Sequence, residues 1–88
     1  MHLGKRPVHD DIRQFVLALL QKKAWLPAGF DDFTDFVTAG IVDSIGIIKF
    51  VLQLESRFEI EILDSDIESP AFRTVRGLVE MIGRKAAD

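Results

Sequence analysis

Apolar positions recur at helical spacing in three stretches of the chain and at no steady spacing in a fourth. Ile12, Phe15, Val16, Leu19 and Leu20 follow i, i+3, i+4, i+7, i+8, which places them on one buried helical face. Pro7 and the acids Asp10 and Asp11 open that pattern and Lys22 and Lys23 close it, both favourable to the helix dipole. Pro27 and Gly29 stop it. A second helix is predicted from Asp43, with Asp43 or Ser44 as its cap. Ile47, Val51, Leu54 and Phe58 make one face of it, and Ile45, Ile48 and Leu52 an adjoining one. That surplus either completes the core or serves as a contact patch for another protein. A last helix is predicted from Thr74 as cap, with Val75, Leu78, Val79 and Ile82 inward and Arg84 and Lys85 at its end. Gly77 weakens it by about 1 kcal/mol relative to Ala, a mark of close packing or of tolerance.

The segments between are less regular. Residues 24–43 hold Pro27, Gly29, Gly40 and four aspartates together with Trp25, Leu26, Phe30, Phe33, Phe36 and Val37, and show no period. A connection of that length in a small domain calls for a functional reason; the aromatics predict a segment that folds back and lids the core, with a helical turn around Phe33 to Val37. Phe58, Ile60 and Ile62 alternate with Glu59 and Glu61 as a strand would. No second alternating segment exists to pair with them, so an acid-lined extended connector is expected instead. Leu63 to Ser69 forms a short helical turn ended by Pro70. The expected fold is all-α: a four-helix bundle of three main helices plus one short helix, with a long first loop. It forms a single domain over residues 1–88, with a core at about 8–86 and a short N-terminal extension at 1–7.

Composition narrows the function. The chain has 88 residues, 48% of them hydrophobic and 28% charged, which describes one small globular domain with a thin core. It has no cysteine, which excludes a disulfide framework, a thiolate metal site and a cysteine nucleophile. The longest apolar runs, such as Val16 to Leu20, are far too short to span a membrane. No apolar stretch with a cleavage site follows Lys5 and Arg6, so no secretory signal is expected and the cytoplasm is the default location. The net charge of −3 has the wrong sign for a nucleic-acid binder. Residues 31–68 hold ten acids against two bases, and both flanks are basic. Such an acidic middle either meets basic partners or is a solvated face.

Enzyme constellations are poor. His2 and His9 lie in the approach to the first helix with no sign of a carboxylate to orient them, so a catalytic triad is not supported. No glycine-rich phosphate loop is present. Asp64, Asp66 and Glu68 alternate like the opening of a calcium loop, but the loop glycine and the closing glutamate are missing, so no dedicated metal site is expected. The distinctive segment is Gly40-Ile41-Val42-Asp43-Ser44-Ile45. A serine at a helix start is ordinarily a cap. Here a long acidic loop precedes it and ends at a glycine. A bulky apolar residue follows it in the first turn, where capping has no use for one.

These residues resemble the acyl carrier protein superfamily, which includes peptidyl and aminoacyl carrier domains. Its signature, Asp-Ser-Leu at the start of the second helix, is matched by Asp43-Ser44-Ile45. The likeness spans about residues 10–85 and includes Glu55-Ser56-Arg57-Phe58, Glu59-Ile60-Glu61-Ile62 and Thr74-Val75. The resemblance implies a non-catalytic carrier. A phosphopantetheinyl transferase would move 4′-phosphopantetheine from coenzyme A, with magnesium, onto Ser44. The thiol of that arm would hold an acyl or aminoacyl group as a thioester, loaded by a ligase and presented to a downstream synthase or transferase in fatty-acid, polyketide or nonribosomal peptide biosynthesis. Asp43, Ile45, Ile48, Leu52 and Glu55 are the implied partner-contact residues, and a monomer is expected.

Some positions depart from the fatty-acid branch. Gly46, Lys49 and Ser56 stand where acids are common there, and two apolar residues rather than one separate Gly40 from Asp43. That form is more similar to free-standing carriers of the D-alanyl or aminoacyl kind and to some polyketide carriers. Two rival readings carry different expectations. A helical interaction module without a prosthetic group would use Ser44 only as a cap. A DNA-binding helix-turn-helix would have only Lys49 and Arg57 on its second helix to answer phosphates.

Overall fold

A computed structural model describes residues 9–23 and 25–87; His2, Pro7 and the expected extension at 1–7 lie outside the described residues. Helix α1 spans His9–Lys23, α2 Gly46–Phe58, α3 Asp64–Ile67 and α4 Val75–Ala87, with a 3₁₀ turn at Pro70–Arg73 ahead of α4. No strand occurs among the described residues. The fold is all-α, three main helices and a short one, and residues 25–45 between α1 and α2 contain only turns.

Helix α1 buries Ile12, Val16, Leu19 and Leu20, as their spacing predicts, and packs along α4. Phe15 sits at the margin, its ring edge-on to Phe58 at 5.5 Å. Helix α4 buries Val75, Leu78, Val79 and Ile82, and Met81 besides. Thr74 caps it: its hydroxyl accepts the Gly77 N–H at 3.0 Å and its carbonyl the Leu78 N–H at 3.0 Å. Gly77 is there for close packing, because a Cβ at that position would lie 2.6 Å from Ala71 Cα in the 3₁₀ turn. His9 has a packing role as well: its Nε2 would stand 2.8 Å from a Cβ at Gly83.

The centre of the core is Phe50. It faces Phe36 of the first loop at 5.8 Å and Phe72 of the 3₁₀ turn at 6.1 Å, both edge to face, and all three rings are fully buried. Edge-to-face pairs of this kind contribute about 0.5–1.5 kcal/mol beyond their burial. Val51, Leu54 and Phe58 of α2 join them, and Ile47 is only half-buried. The connector after α2 is extended, as expected. Glu59 adopts the left-handed conformation (φ 55°) that ends the helix. Glu61 then faces outward and Ile62 inward.

The expected lid needs correcting. Phe36, Ile41 and Val42 are buried and Leu26, Phe30 and Val37 pack against the core, but Trp25 is 96% exposed and Phe33 also faces out. The Asp31 carboxylate accepts the Phe33 N–H at 2.9 Å in a tight side-chain-capped turn, and the Phe33 ring lies beneath the Arg76 guanidinium at 5.5 Å. The helical turn comes two residues later than predicted. It runs from Asp35, whose Oδ1 accepts the Val37 and Thr38 N–H groups, to Gly40.

Much of the acidic middle has an architectural purpose. Asp32 pairs with Arg13 of α1, Asp35 with Arg73 of the 3₁₀ turn and Asp66 of α3 with Lys85 of α4, each at 2.8 Å. These acids clip the irregular segments onto the helices. The Asp32 and Asp35 pairs are exposed enough that water screens much of their Coulomb gain, whereas the Asp66–Lys85 pair is more buried.

Candidate functional site

The loop reaches Ser44 through a short anchored run. Gly40 takes φ 80°, a conformation that L side chains rarely adopt. The chain then reverses so that the Phe36 carbonyl accepts both the Ile41 N–H at 3.0 Å and the Val42 N–H at 3.3 Å. The Phe36 N–H in turn donates to the Arg73 carbonyl at 2.9 Å. Ile41 and Val42 bury their side chains, and the three residues that follow are exposed. Two buried aliphatics thus hold the segment down immediately before Asp43-Ser44-Ile45.

Of the two cap candidates, Asp43 fills the role. Its Oδ1 accepts the Gly46 N–H at 2.6 Å, and its carbonyl accepts the Ile47 N–H at 2.9 Å. Ile45 already has helical angles, φ −81° and ψ −44°. Ser44 and Ile45 therefore form the first turn, and the regular helix from Gly46 continues it. Ser44 is exposed, and among the described residues neither its hydroxyl nor the N–H groups of Ser44 and Ile45 have a hydrogen-bond partner. Free N–H groups at the positive end of a helix favour an anion bonded there. A phosphoester on Ser44 Oγ fits that setting.

Helix α2 then divides its apolar residues cleanly. Phe50, Val51, Leu54 and Phe58 face the core, whereas Ile45, Ile48 and Leu52 are 83%, 64% and 58% exposed. The adjoining face identified in the sequence is left uncovered. Glu55 is differently placed: it is half-buried and its Oε2 accepts the Ile62 N–H at 2.8 Å. That bond ties the connector back to α2, so the carboxylate has a structural use. The sequence placed Phe36 among the aromatics that cover the core but gave no sign of Arg73, which holds the segment from a distance. Arg73 donates from Nε to Asp35 Oδ2 at 2.8 Å and from its Nη2 to Thr38 Oγ1 at 3.1 Å. A pairing between residues so far apart leaves no local pattern to read.

The carboxyl of Asp35 is held at about 2, chiefly by the Thr38 N–H, with the Arg73 guanidinium adding to the effect against partial desolvation. Lys85 and the Leu63 N–H hold Asp66 below the usual carboxylate range. Asp66, one of the three alternating acids, is therefore committed to the fold, and among the described residues no three metal-ligating side chains converge. The cleft between α1 and α4, of about 280 Å³, is lined by His9, Arg13, Asp32, Arg76 and Glu80 among others. None of Asp43, Ser44, Ile45, Ile48 or Leu52 lines it. Among the described residues no helix is long and apolar enough to cross a membrane.

A small helical bundle that offers an exposed serine at a helix start, beside an uncovered aliphatic strip, has the form of a carrier domain. The chain belongs to the phosphopantetheine attachment site family, whose model matches residues 14–82. Members of this family carry 4′-phosphopantetheine covalently on a serine, and the role that follows for this chain is that of a phosphopantetheine-bearing carrier. No solved structure matches the chain.

Proposed function

We propose that Ser44 is the attachment residue and that the protein carries acyl or aminoacyl groups. The observation that carries this reading is the exposed, unbonded Ser44 hydroxyl in the first turn of α2, with two free N–H groups beside it. In the modification, Ser44 Oγ attacks the pyrophosphate of coenzyme A. A serine–phosphorus bond forms, the anhydride bond breaks, adenosine bisphosphate leaves and the serine proton passes to a base on the transferase. Ser44 thus needs no activating group within this chain. The bound arm supplies a thiol for thioester chemistry in a polypeptide that has no cysteine of its own.

The neighbours divide the remaining work. Asp43 holds the turn that presents Ser44. Its carboxylate gives no electrostatic benefit to an adjacent phosphodiester, so its charge is better used against the transferase. Ile45, Ile48 and Leu52 are the docking strip for the transferase, for a loading ligase and for the synthase or transferase that takes the cargo. Because its carboxylate is bonded to the connector, Glu55 supports the fold rather than the docking. The coenzyme A donor and the partner enzymes place the work in the cytoplasm.

Intact mass after incubation with coenzyme A, magnesium and a broad-specificity phosphopantetheinyl transferase tests the reading. The expected result is a gain of one phosphopantetheine, absent in Ser44→Ala, with the melting temperature of that variant unchanged. A wild-type chain whose mass does not change overturns it and leaves the helical interaction module as the better account.

A further inference from the structure

The approach to α4 holds the first loop at four points, and three of them belong to one residue. The Arg73 carbonyl accepts the Phe36 N–H at 2.9 Å, its Nε donates to Asp35 Oδ2 at 2.8 Å, and its Nη2 donates to Thr38 Oγ1 at 3.1 Å. The fourth lies three residues on, where the Arg76 N–H donates to the Asp32 carbonyl at 2.9 Å. Arg73 thus fixes both ends of the turn that runs from Asp35 to Thr38. The Ala39 N–H donates to the Asp35 carbonyl and the Gly40 N–H to the Val37 carbonyl, each at 3.0 Å, and the Phe36 carbonyl takes the Ile41 and Val42 N–H groups. Residues 35–42 are one hydrogen-bonded unit fastened to the 3₁₀ turn by Arg73, and Ser44 follows two residues beyond it.

What Arg73 contributes is position more than stability. The side chains of the Arg73–Asp35 pair are 43% and 39% exposed, so water screens their attraction. A planar guanidinium nonetheless fixes where its two acceptors lie relative to each other, because its N–H groups form a rigid fork. A lysine ammonium is a single point on a flexible stem and imposes no such spacing. Transfer of a phosphoryl group to a serine needs the attacking oxygen in line with the phosphorus. A misplacement of about 1 Å, caused far from the reacting atoms, can cost about a hundredfold in rate. Resting on the assignment of Ser44, we infer that Arg73 is a positioning residue for the modification. Acting through Asp35, Thr38 and Phe36, it sets where the Ser44 hydroxyl stands when the transferase arrives. Without the fork, residues 35–42 take several arrangements, and few of them present the hydroxyl in line. Ile48 and Leu52 keep their places, because they lie on a regular helix held from its core side by Phe50 and Leu54. The loss therefore falls on turnover rather than on binding.

The test uses the full chain with coenzyme A, magnesium and a broad-specificity phosphopantetheinyl transferase, and reads the initial rate of mass gain across carrier concentrations. Arg73→Leu keeps the backbone carbonyl and the apolar stem but removes the fork. It is expected to lower kcat about five- to tenfold with KM within about twofold, and Arg73→Lys to recover only part of the loss. Asp66→Asn weakens the clip between α3 and α4 and controls for stability: it should lower the melting temperature comparably and leave kcat at the wild-type value. Asp35→Asn combined with Arg73→Leu should lose no more kcat than Arg73→Leu alone, because the two residues act as one pair. Hydrogen exchange reads the same relay without the transferase. The Ile41 and Val42 amides should exchange about tenfold faster in Arg73→Leu and at the wild-type rate in Asp66→Asn. If the wild-type chain is modified and Arg73→Leu keeps its kcat, or loses it only in step with Asp66→Asn, the positioning role is overturned and the assignment of Ser44 stands. Unchanged exchange at Ile41 and Val42 overturns the role as well. If the wild-type chain gains no mass, the role and the assignment fall together.

Discussion

At the scale of the residue, Asp43 caps α2 and is proposed to meet the transferase with its charge, two tasks that substitutions can separate. Its Oδ1 accepts the Gly46 N–H, and replacing such a cap by alanine costs about 0.5–2 kcal/mol. Asparagine keeps an acceptor in the same place and removes the charge. Asp43→Asn should therefore melt close to wild type, whereas Asp43→Ala should melt several degrees lower, a 1 kcal/mol loss being worth about 4–8 °C in a domain of this size. On the proposed role of the Asp43 charge in meeting the transferase, both variants should be modified slowly. Mass spectrometry of the initial rate checks this. An Asp43→Asn chain modified at the wild-type rate would reduce Asp43 to a cap.

At the scale of the element, two glycines in α4 should respond in different ways. A Cβ at Gly77 meets the Ala71 backbone of the 3₁₀ turn, which is held in place by the buried Phe72. Gly77→Ala should then lose about 1–3 kcal/mol through overpacking, despite the better helix propensity of alanine. At Gly83 the neighbour is the end of the His9 side chain, which can turn away, so Gly83→Ala should be nearly neutral. Urea unfolding of the two variants gives the comparison. Helices α1 and α4 were legible in the sequence because each buries one face and the spacing of Ile12, Val16 and Leu19, or of Val75, Leu78 and Ile82, records that face directly. The connector was legible too, since Ile60 and Ile62 had no alternating segment to pair with. In α2 the same method left Ile48 and Leu52 open, because spacing shows which residues share a face but not whether a neighbour covers it. The reach of Arg73 to Asp35 and Thr38 left no trace, because it joins residues through space.

At the scale of the whole molecule, the ion pairs that clip the first loop and α3 to the helices make stability depend on acid. The carboxyl of Asp35 is lowered from 3.8 to about 2 in the folded protein, and that of Asp66 is lowered as well. A carboxylate whose folded value is depressed stabilises the fold above its unfolded value and loses that contribution as pH falls through the folded one. Stability should therefore be steady above about pH 4 and fall toward about pH 2, the window set by Asp35. Asp35→Asn combined with Asp66→Asn should flatten that fall and lower the plateau. Urea midpoints measured across the range check both, and an unchanged slope would assign acid lability to other carboxyls. The clips have a mechanical consequence. With the Phe36 carbonyl gripping the two residues just before Asp43, the start of α2 is a mooring post rather than a hinge. Whatever is fastened to it ranges only as far as its own length allows, and the distance still to be covered must be travelled by the visiting enzyme or by the entire domain.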